Sequence, residues 1–91
     1  MKSNYEISVH GKVQGVGFRY FAQKKAAEFN ITGYVRNMPG RVVLIVAEGE
    51  NSDIDTFVDH IRMGPTMARV NQVSVSKSPY TGNFSAFEVR Y

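Results

Sequence analysis

Five segments of the chain carry the hydrophobic pattern of β-strands. In most of them apolar residues alternate with polar ones, and this period of two predicts a strand with one buried face. The third segment is a continuous β-branched run, which also favours a strand. The predicted strands are Tyr5–Val13, Ile31–Asn37, Val42–Glu48, a strand around Val73 and Val75, and a short one from Phe87 to Tyr91.

Two further segments follow the i, i+3, i+4 spacing of amphipathic helices. The first helix is predicted from Phe18 to about Asn30, a residue type that tolerates the left-handed conformation at a helix end. The second should begin near Ser52, which together with Asp55 resembles a capping box, and end at Gly64-Pro65. Their apolar stripes are Phe18, Phe21, Ala22, Ala26 and Phe29, and Ile54, Phe57, Val58 and Ile61.

The resulting order, β-α-β-β-α-β-β, predicts an α+β fold of the ferredoxin-like type. Two helices then pack on one face of a mainly antiparallel sheet, and a short C-terminal strand is added to it. The chain has 91 residues and no repeat or linker, so a single domain over residues 1–91 is expected. Many functions share this fold, and topology alone identifies none of them.

Composition excludes several classes of chemistry. The chain has no cysteine, which removes disulfides, thiolate metal sites and thiol catalysis. Its two histidines, His10 and His60, lack the spacing of metal ligands, so neither metal nor cofactor is expected. The longest apolar run, Val42–Ala47, falls far short of the ~20 residues of a membrane helix. These features favour a cytoplasmic protein without a membrane partner.

Charge is divided unevenly along the chain. The first 46 residues hold seven bases and two acids, for a charge of +5, and the remainder holds four bases and six acids, for −2. A basic half suits an anionic partner, from a phosphate ester to RNA, but a solvated basic surface looks the same. Charge therefore leaves the function open.

The segment between the first strand and the first helix carries candidate chemistry. Gly15 and Gly17 permit positive φ, so successive N–H groups can point into one concavity, and the loop runs directly into a helix N-terminus. Arg19 lies in the first turn, where a cation opposes the helix dipole unless a bound anion reverses the sign. A tight turn that simply needs glycine is the alternative. Tyr20 stands where a dinucleotide fingerprint has its third glycine, and no Walker sequence follows.

Several blocks of the sequence resemble the signatures of the acylphosphatase family. They extend over essentially the whole chain: Gly11-Lys12-Val13-Gln14-Gly15-Val16-Gly17-Phe18-Arg19, Gly33-Tyr34-Val35-Arg36-Asn37, Ala47-Glu48-Gly49, Gly64-Pro65-Thr66-Met67-Ala68-Arg69-Val70 and the Val-Arg-Tyr ending. The resemblance implies metal-independent hydrolysis of a small-molecule acyl phosphate to a carboxylate and inorganic phosphate.

The resemblance also implies roles for individual residues. Arg19 matches the family's phosphate-binding arginine, and Asn37 matches the asparagine that holds the attacking water. The phosphate cradle corresponds to the backbone of Gly15, Val16, Gly17, Phe18 and Arg19. In the family's sheet order the third strand lies between the first two, which places Asn37 two strand spacings, ~10 Å, from the first strand. By itself, Asn37 would equally suit the start of a turn.

The sequence departs from the family pattern at one hairpin. The turn after Asn37 reads Met38-Pro39-Gly40-Arg41 where the family usually has Asp-Gly, and Leu44 takes the place of a glutamate. The block length is unchanged, so a different turn is expected, with different substrate features beside it. Glu48 and Glu50 are interpreted as loop acids.

Two other functions remain to be weighed. An RNA-binding module shares the element order, but its third strand carries stacking aromatics, and residues 41–46 contain none. A relative employed without catalysis, or as a carbamoyl-phosphate-using module of a larger enzyme, would have the same loop. No nucleic-acid partner is expected, and a monomer is the default.

Overall fold

The computed structural model describes all residues from Met1 to Tyr91, and seven elements follow one another in the predicted order. Their bounds are β1 Lys2–Lys12, α1 Phe18–Glu28, β2 Thr32–Met38, β3 Val42–Glu50, α2 Asn51–Met63, β4 Arg69–Pro79 and β5 Phe87–Arg90.

The five strands form one sheet in the order β4-β1-β3-β2-β5. All neighbours are antiparallel except β2 and β5, which run parallel. β3 therefore lies between β1 and β2, as the resemblance implied. The structure is a ferredoxin-like α+β fold with an added C-terminal strand, and the predicted fold class is confirmed.

The core lies between the sheet and the two helices. Alternate residues of β1, such as Ile7 and Val9, are fully buried, while the intervening residues point to the other face. The helices close this face with their predicted stripes, and 16 buried residues form one continuous cluster. Phe18, the first residue of α1, belongs to that cluster, so the start of α1 is anchored in the core. Neither helix is long and apolar enough to cross a membrane.

Both helices end close to the residues that the sequence predicted, Asn30 and Gly64. Asn30 adopts φ 57° just beyond α1, and Gly64 adopts φ 68° at the end of α2, where its N–H donates to the carbonyl of His60 at 3.0 Å. Both positions need the left-handed region that asparagine and glycine enter most easily.

The predicted capping box of Ser52 and Asp55 is wrong. β3 continues to Glu50 and α2 begins immediately at Asn51, so Ser52 already lies within the first turn. No side chain caps this helix. The carboxylate of Asp55 instead accepts a hydrogen bond from the hydroxyl of Tyr5 at 2.9 Å, which ties α2 to β1.

The interpretation of Glu48 and Glu50 as loop acids is also wrong, because both belong to β3. Glu48 is completely buried, and its carboxylate accepts hydrogen bonds from the side chain of Asn4, from both the N–H and the hydroxyl of Thr81, and from the N–H of Gly82. Glu48 thereby holds the segment that follows β4 against the end of β3. Glu50 is exposed and pairs with the N-terminal amine at 2.9 Å.

The hairpin between β2 and β3 has an unusual turn but a regular register. Met38 pairs with Val42, and the three residues between them form the turn, with Gly40 at φ 82° and Arg41 at φ 61°. Both strands keep their length, as expected for a changed turn. Leu44 is half-buried on the face opposite to the helices.

Candidate active site

The loop between β1 and α1 is shaped by its two glycines. Gly15 has φ 73° and Gly17 has φ 78°, and a Cβ added at either residue would meet no heavy atom within 4 Å. Conformation, and not crowding, therefore requires glycine at both positions. Both glycines thus adopt the positive φ that the sequence analysis expected of this loop.

The N-terminus of α1 opens directly onto this loop. Gly17 is its N-cap residue, no side chain caps the first turn, and the first turn contains no acidic residue. The first N–H groups of a helix have no partner within the helix, and the helix dipole adds partial positive charge there. This end of α1 can therefore receive an anion.

Arg19 is half-buried in the first turn of α1 and is held by the C-terminal end of the chain. Its guanidinium donates to the backbone carbonyl of Arg90 at 3.1 Å and lies over the ring of Tyr91, 4.5 Å from the centroid. One face of the guanidinium is thus stacked, and four of its five N–H donors are free of hydrogen bonds within the chain.

Asn37 lies one residue before the end of β2, at the same end of the sheet as the glycine loop. Its partner in β3 is Val43, and its side chain forms no hydrogen bond within the chain. Asn37 therefore occupies a regular strand position, so the alternative in which it begins the turn does not describe it. Its carboxamide is free to bind a ligand or a water.

A small cavity of about 80 Å³ brings these features together. Its walls come from the glycine loop, the first turn of α1 and the end of β2, and the lining residues are Val13, Gly15, Gly17, Phe18, Arg19, Tyr20 and Asn37. A water occupies about 30 Å³ in the liquid, so this volume suits a group about the size of a phosphoryl group. The side chain of Val16, whose backbone is also predicted for the cradle, packs against the core.

Gln14 is a structural residue of the site to which the sequence reasoning gave no role. Its side-chain amide donates to the carbonyl of Met38 at 2.8 Å and to that of Val42 at 2.9 Å. It therefore bridges the glycine loop to the base of the hairpin that follows Asn37. A glutamine beside two glycines gives no local signal of this kind, because both its partners lie more than 20 residues away.

Tyr20 and Tyr91 form the outer edge of the site. Their hydroxyl oxygens are 2.5 Å apart, and Tyr20 lines the small cavity. The hydrogen bond to Tyr20 raises the pKa of the Tyr91 phenol; desolvation adds to this, whereas the Arg19 guanidinium opposes it. The raised pKa keeps the Tyr91 phenol protonated at neutral pH, and its hydroxyl pair with Tyr20 links the C-terminal residue to α1.

The remaining predicted residues lie outside this site. Arg36 is exposed on β2. The ring of His60 packs on Phe29 with centroids 5.1 Å apart, and His10 lines a different cavity. No group of three or more His, Asp or Glu side chains is placed to hold a metal ion.

Fold and site together define a ferredoxin-like protein with a small cavity between a glycine loop, the start of its first helix and the end of its second strand. Residues 5–89 match the family described as Acylphosphatase. An "Acylphosphatase" from Geotalea uraniireducens (strain Rf4) is 41% identical over 91 residues, which is all of both chains. The chain belongs to the acylphosphatase family.

Solved structures agree with this assignment. The crystal structure of acylphosphatase from Bacillus subtilis superposes with a TM-score of 0.95 at 36% identity, over all of both chains. The crystal structure of T. kodakarensis HypF is also similar, with a TM-score of 0.84 and 36% identity, but this chain covers only 12% of that protein. The same unit therefore occurs both as a small protein and within a much larger one.

Proposed function

We propose that this chain hydrolyses acyl phosphates to a carboxylate and inorganic phosphate, and that residues 1–91 act as one domain. The observation that carries the proposal is the small cavity shared by Gly15, Gly17, Arg19 and Asn37. The family names of its relatives, which match over the full chain, support the same substrate class. The proposal further includes a monomer that acts in the cytoplasm, with no nucleic-acid or membrane partner.

In this proposal the phosphoryl group is bound by the backbone N–H groups of residues 15–19 and by the guanidinium of Arg19. Amides and guanidinium stabilise the negative charge on the equatorial oxygens, and a planar set of donors suits these oxygens better than an ammonium does. Phosphoryl transfer depends chiefly on such positioning and charge stabilisation, with little covalent work for the protein. The free N–H donors of Arg19 support this role.

Asn37 orients the attacking water in line with the scissile bond. A carboxamide is not a base, but its oxygen accepts and its nitrogen donates, so together they can fix one water. The water oxygen bonds to phosphorus, the bond to the acyl oxygen breaks, and its electron pair leaves on the carboxylate. That carboxylate is stable at neutral pH, so no general acid is needed. The proton of the water passes to a phosphoryl oxygen of the substrate.

The test uses the purified full chain, benzoyl phosphate and a chelator, and follows the loss of substrate. Asn37→Ala should lower kcat by about 100-fold or more and leave inhibition by inorganic phosphate intact. Arg19→Ala should lower kcat/KM at least as much and also weaken phosphate inhibition. Asn83→Ala and Arg36→Ala are matched controls, since both residues are exposed and lie outside the cavity.

Two results would contradict the proposal. Hydrolysis no faster than in buffer would exclude the enzyme, and steeply salt-dependent binding of RNA in its place would favour a nucleic-acid module. If Asn37→Ala had wild-type turnover, Asn37 would not position the attacking water. That result would not contradict the phosphate site.

A further inference from the structure

A second cavity, of about 610 Å³, lies on the face of the sheet opposite to the helices and takes no part in the mechanism above. His10 and Lys12 line this open-face cavity from the side of β1 that points away from the buried Val9. The start of β4 and the hairpin turn between β2 and β3 complete its wall. Its volume is that of a small-molecule site.

The open-face cavity is separate from the small one. Asn37, which lines the small cavity, is the cross-strand partner of the buried Val43 and so lies on the helix face of the sheet. Val13 lines both cavities, but its side chain is buried in the core. We therefore consider a ligand that is a separate molecule from the substrate.

Cations line the open-face cavity, and no acidic residue does. Lys12 and Arg41 belong to its wall, Arg69 is the cross-strand neighbour of Lys12, and none of the three takes part in an ion pair of the structure. The closest acid along β1 on the same face, Glu6, is four residues from His10, or about 13 Å. A concave site lined by charge of one sign concentrates ligands of the opposite sign. The cavity therefore favours an anion.

The three cations stand on neighbouring strands. Arg69 begins β4, Lys12 ends β1 and Arg41 directly precedes β3, and these strands are adjacent in the sheet. Strands are about 4.8 Å apart, so the backbones of Arg69 and Arg41 are separated by about 10 Å. A phosphate group carries a charge of about −1.5 to −2 at pH 7, so three cations are balanced only by more than one phosphate. Number and spacing therefore favour a ligand with linked phosphate groups.

Two backbone irregularities shape the wall of the open-face cavity. The register between β1 and β4 shifts after His10, which leaves Asn71 as the extra residue of a β-bulge, and Asn71 lines the cavity, where its carboxamide can donate to an anion. Arg41 has φ 61°, in the left-handed region that glycine or asparagine adopts more easily. Disfavoured conformations of this kind cluster at binding and active sites. Bulge and turn thus place a donor and a cation in one concavity.

We propose that the open-face cavity binds a small polyanion with two or more linked phosphate groups, either an inorganic polyphosphate or the phosphate chain of a nucleotide. Lys12, Arg41 and Arg69 bind the phosphates, and Asn71 donates a hydrogen bond to them. The ligand takes no part in the reaction of the small cavity. The inference therefore goes beyond the proposed function and stands or fails independently of it.

The test is a titration of the full chain with tripolyphosphate, followed by amide and side-chain NMR at about 150 mM salt, where charges beyond ~8 Å are screened. Signals of Asn71 and His10 should shift together with one Kd. The double variant Lys12→Gln/Arg41→Asn should raise this Kd tenfold or more, because charge-assisted hydrogen bonds are lost. Asparagine preserves the left-handed turn. Absence of a shift at Asn71 in the wild-type chain would overturn the inference.

Two control variants separate this cavity from net charge and from the small cavity. Lys2→Gln/Lys24→Gln removes the same charge from exposed residues outside the cavity and should change the Kd less than twofold. Arg19→Ala should diminish the shifts of the glycine loop and leave the shift of Asn71 unchanged. The inference is wrong if the first control weakens binding as much as the cavity variant, or if Arg19→Ala abolishes the shift of Asn71.

Three further ligands define the class of polyanion, again through the shift of Asn71. Inorganic phosphate should bind at least tenfold more weakly than tripolyphosphate, and equal affinity would overturn the need for linked phosphates. A nucleoside triphosphate that binds as tightly as tripolyphosphate assigns the site to the phosphate chain alone, and one that binds more tightly assigns it to a nucleotide; both results support the inference. Tighter binding of a single-stranded RNA than of either would overturn it in favour of a nucleic-acid surface.

Discussion

Arg19 is a cation at a position where the electrostatic field of the helix is unfavourable to positive charge. A cation in the first turn of a helix is disfavoured by about 0.3–1 kcal/mol, and no acid in that turn offsets it. The guanidinium is held from outside the helix, by the carbonyl of Arg90 and the ring of Tyr91. These contacts order the side chain before an anion arrives, which lowers the entropy lost on binding.

Gln14 should matter for catalysis although it does not line the small cavity. Gln14→Ala removes two hydrogen bonds between the glycine loop and the hairpin, at a cost of about 1–2 kcal/mol of unfolding free energy, and lets the two walls of the site separate. We expect kcat/KM to fall about tenfold, measured with benzoyl phosphate. Gln23→Ala, whose single hydrogen bond to Phe87 is 3.5 Å long and exposed, should change neither quantity.

Glu48 should be the carboxylate on which stability depends most. All the hydrogen-bond partners of the Glu48 carboxylate are donors. The amide of Glu48→Gln would have to turn its N–H₂ group toward one of these donors, which leaves a buried polar group unpaired. The expected loss is about 2–3 kcal/mol of unfolding free energy, measured by denaturant titration. Glu50→Gln, at the exposed end of the same strand, is the control. A loss no greater than that of the control would contradict this prediction.

The same carboxylate should make the fold sensitive to acid. Burial alone would raise the pKa of Glu48, but the hydrogen bonds from Asn4, Thr81 and Gly82 outweigh burial, and its pKa is lowered. A lowered folded pKa gives stability that is complete above the unfolded value, about 4.3, and lost as the pH falls toward the folded value. Glu48→Gln should therefore flatten the fall of unfolding free energy with pH in that range.

At the scale of elements, most of the fold could be predicted from the sequence. The period of two and the helical stripes identified every strand and helix, and Asn30 and Gly64 were identified as helix ends. The burial of Glu48 and its hydrogen bonds were not predicted, because its partners Asn4 and Thr81 are 44 and 33 residues away in the sequence. The hydrogen bonds of Gln14 and Arg19 were not predicted for the same reason, since a local sequence pattern carries no information on a long-range hydrogen bond.

The short strand β5 should contribute to catalysis through the residue that follows it. β5 pairs in parallel with β2 and brings Tyr91 over Arg19. Tyr91→Ala should lower kcat/KM about tenfold, because the guanidinium loses a stacking contact of about 1 kcal/mol together with its fixed orientation. Tyr91→Phe keeps the ring and loses only the hydroxyl pair with Tyr20, so a smaller loss is expected. Equal losses would assign the effect to the hydroxyl instead.

At the scale of the whole molecule, the two ends of the sheet carry different charged residues. Lys12 of β1 and Arg69 of β4 are cross-strand neighbours at the end of the sheet that holds the glycine loop. At the opposite end, Glu48 and Glu50 conclude β3. The two ends differ in charge independently of the division along the sequence, since Arg69 lies beside Lys12 and Lys2 lies beside Glu50. The site lies at the end that holds Lys12 and Arg69.

This polarity should speed the arrival of an anionic substrate. For benzoyl phosphate, kcat/KM should fall several-fold between about 20 and 200 mM salt, while kcat at saturation stays constant, since salt screens the approach and not the bound state. Arg69→Gln should flatten this salt dependence. Lys2→Gln removes the same charge from the far end of β1 and should leave the slope unchanged. Equal slopes for the two variants would show that net charge, and not its position, governs association.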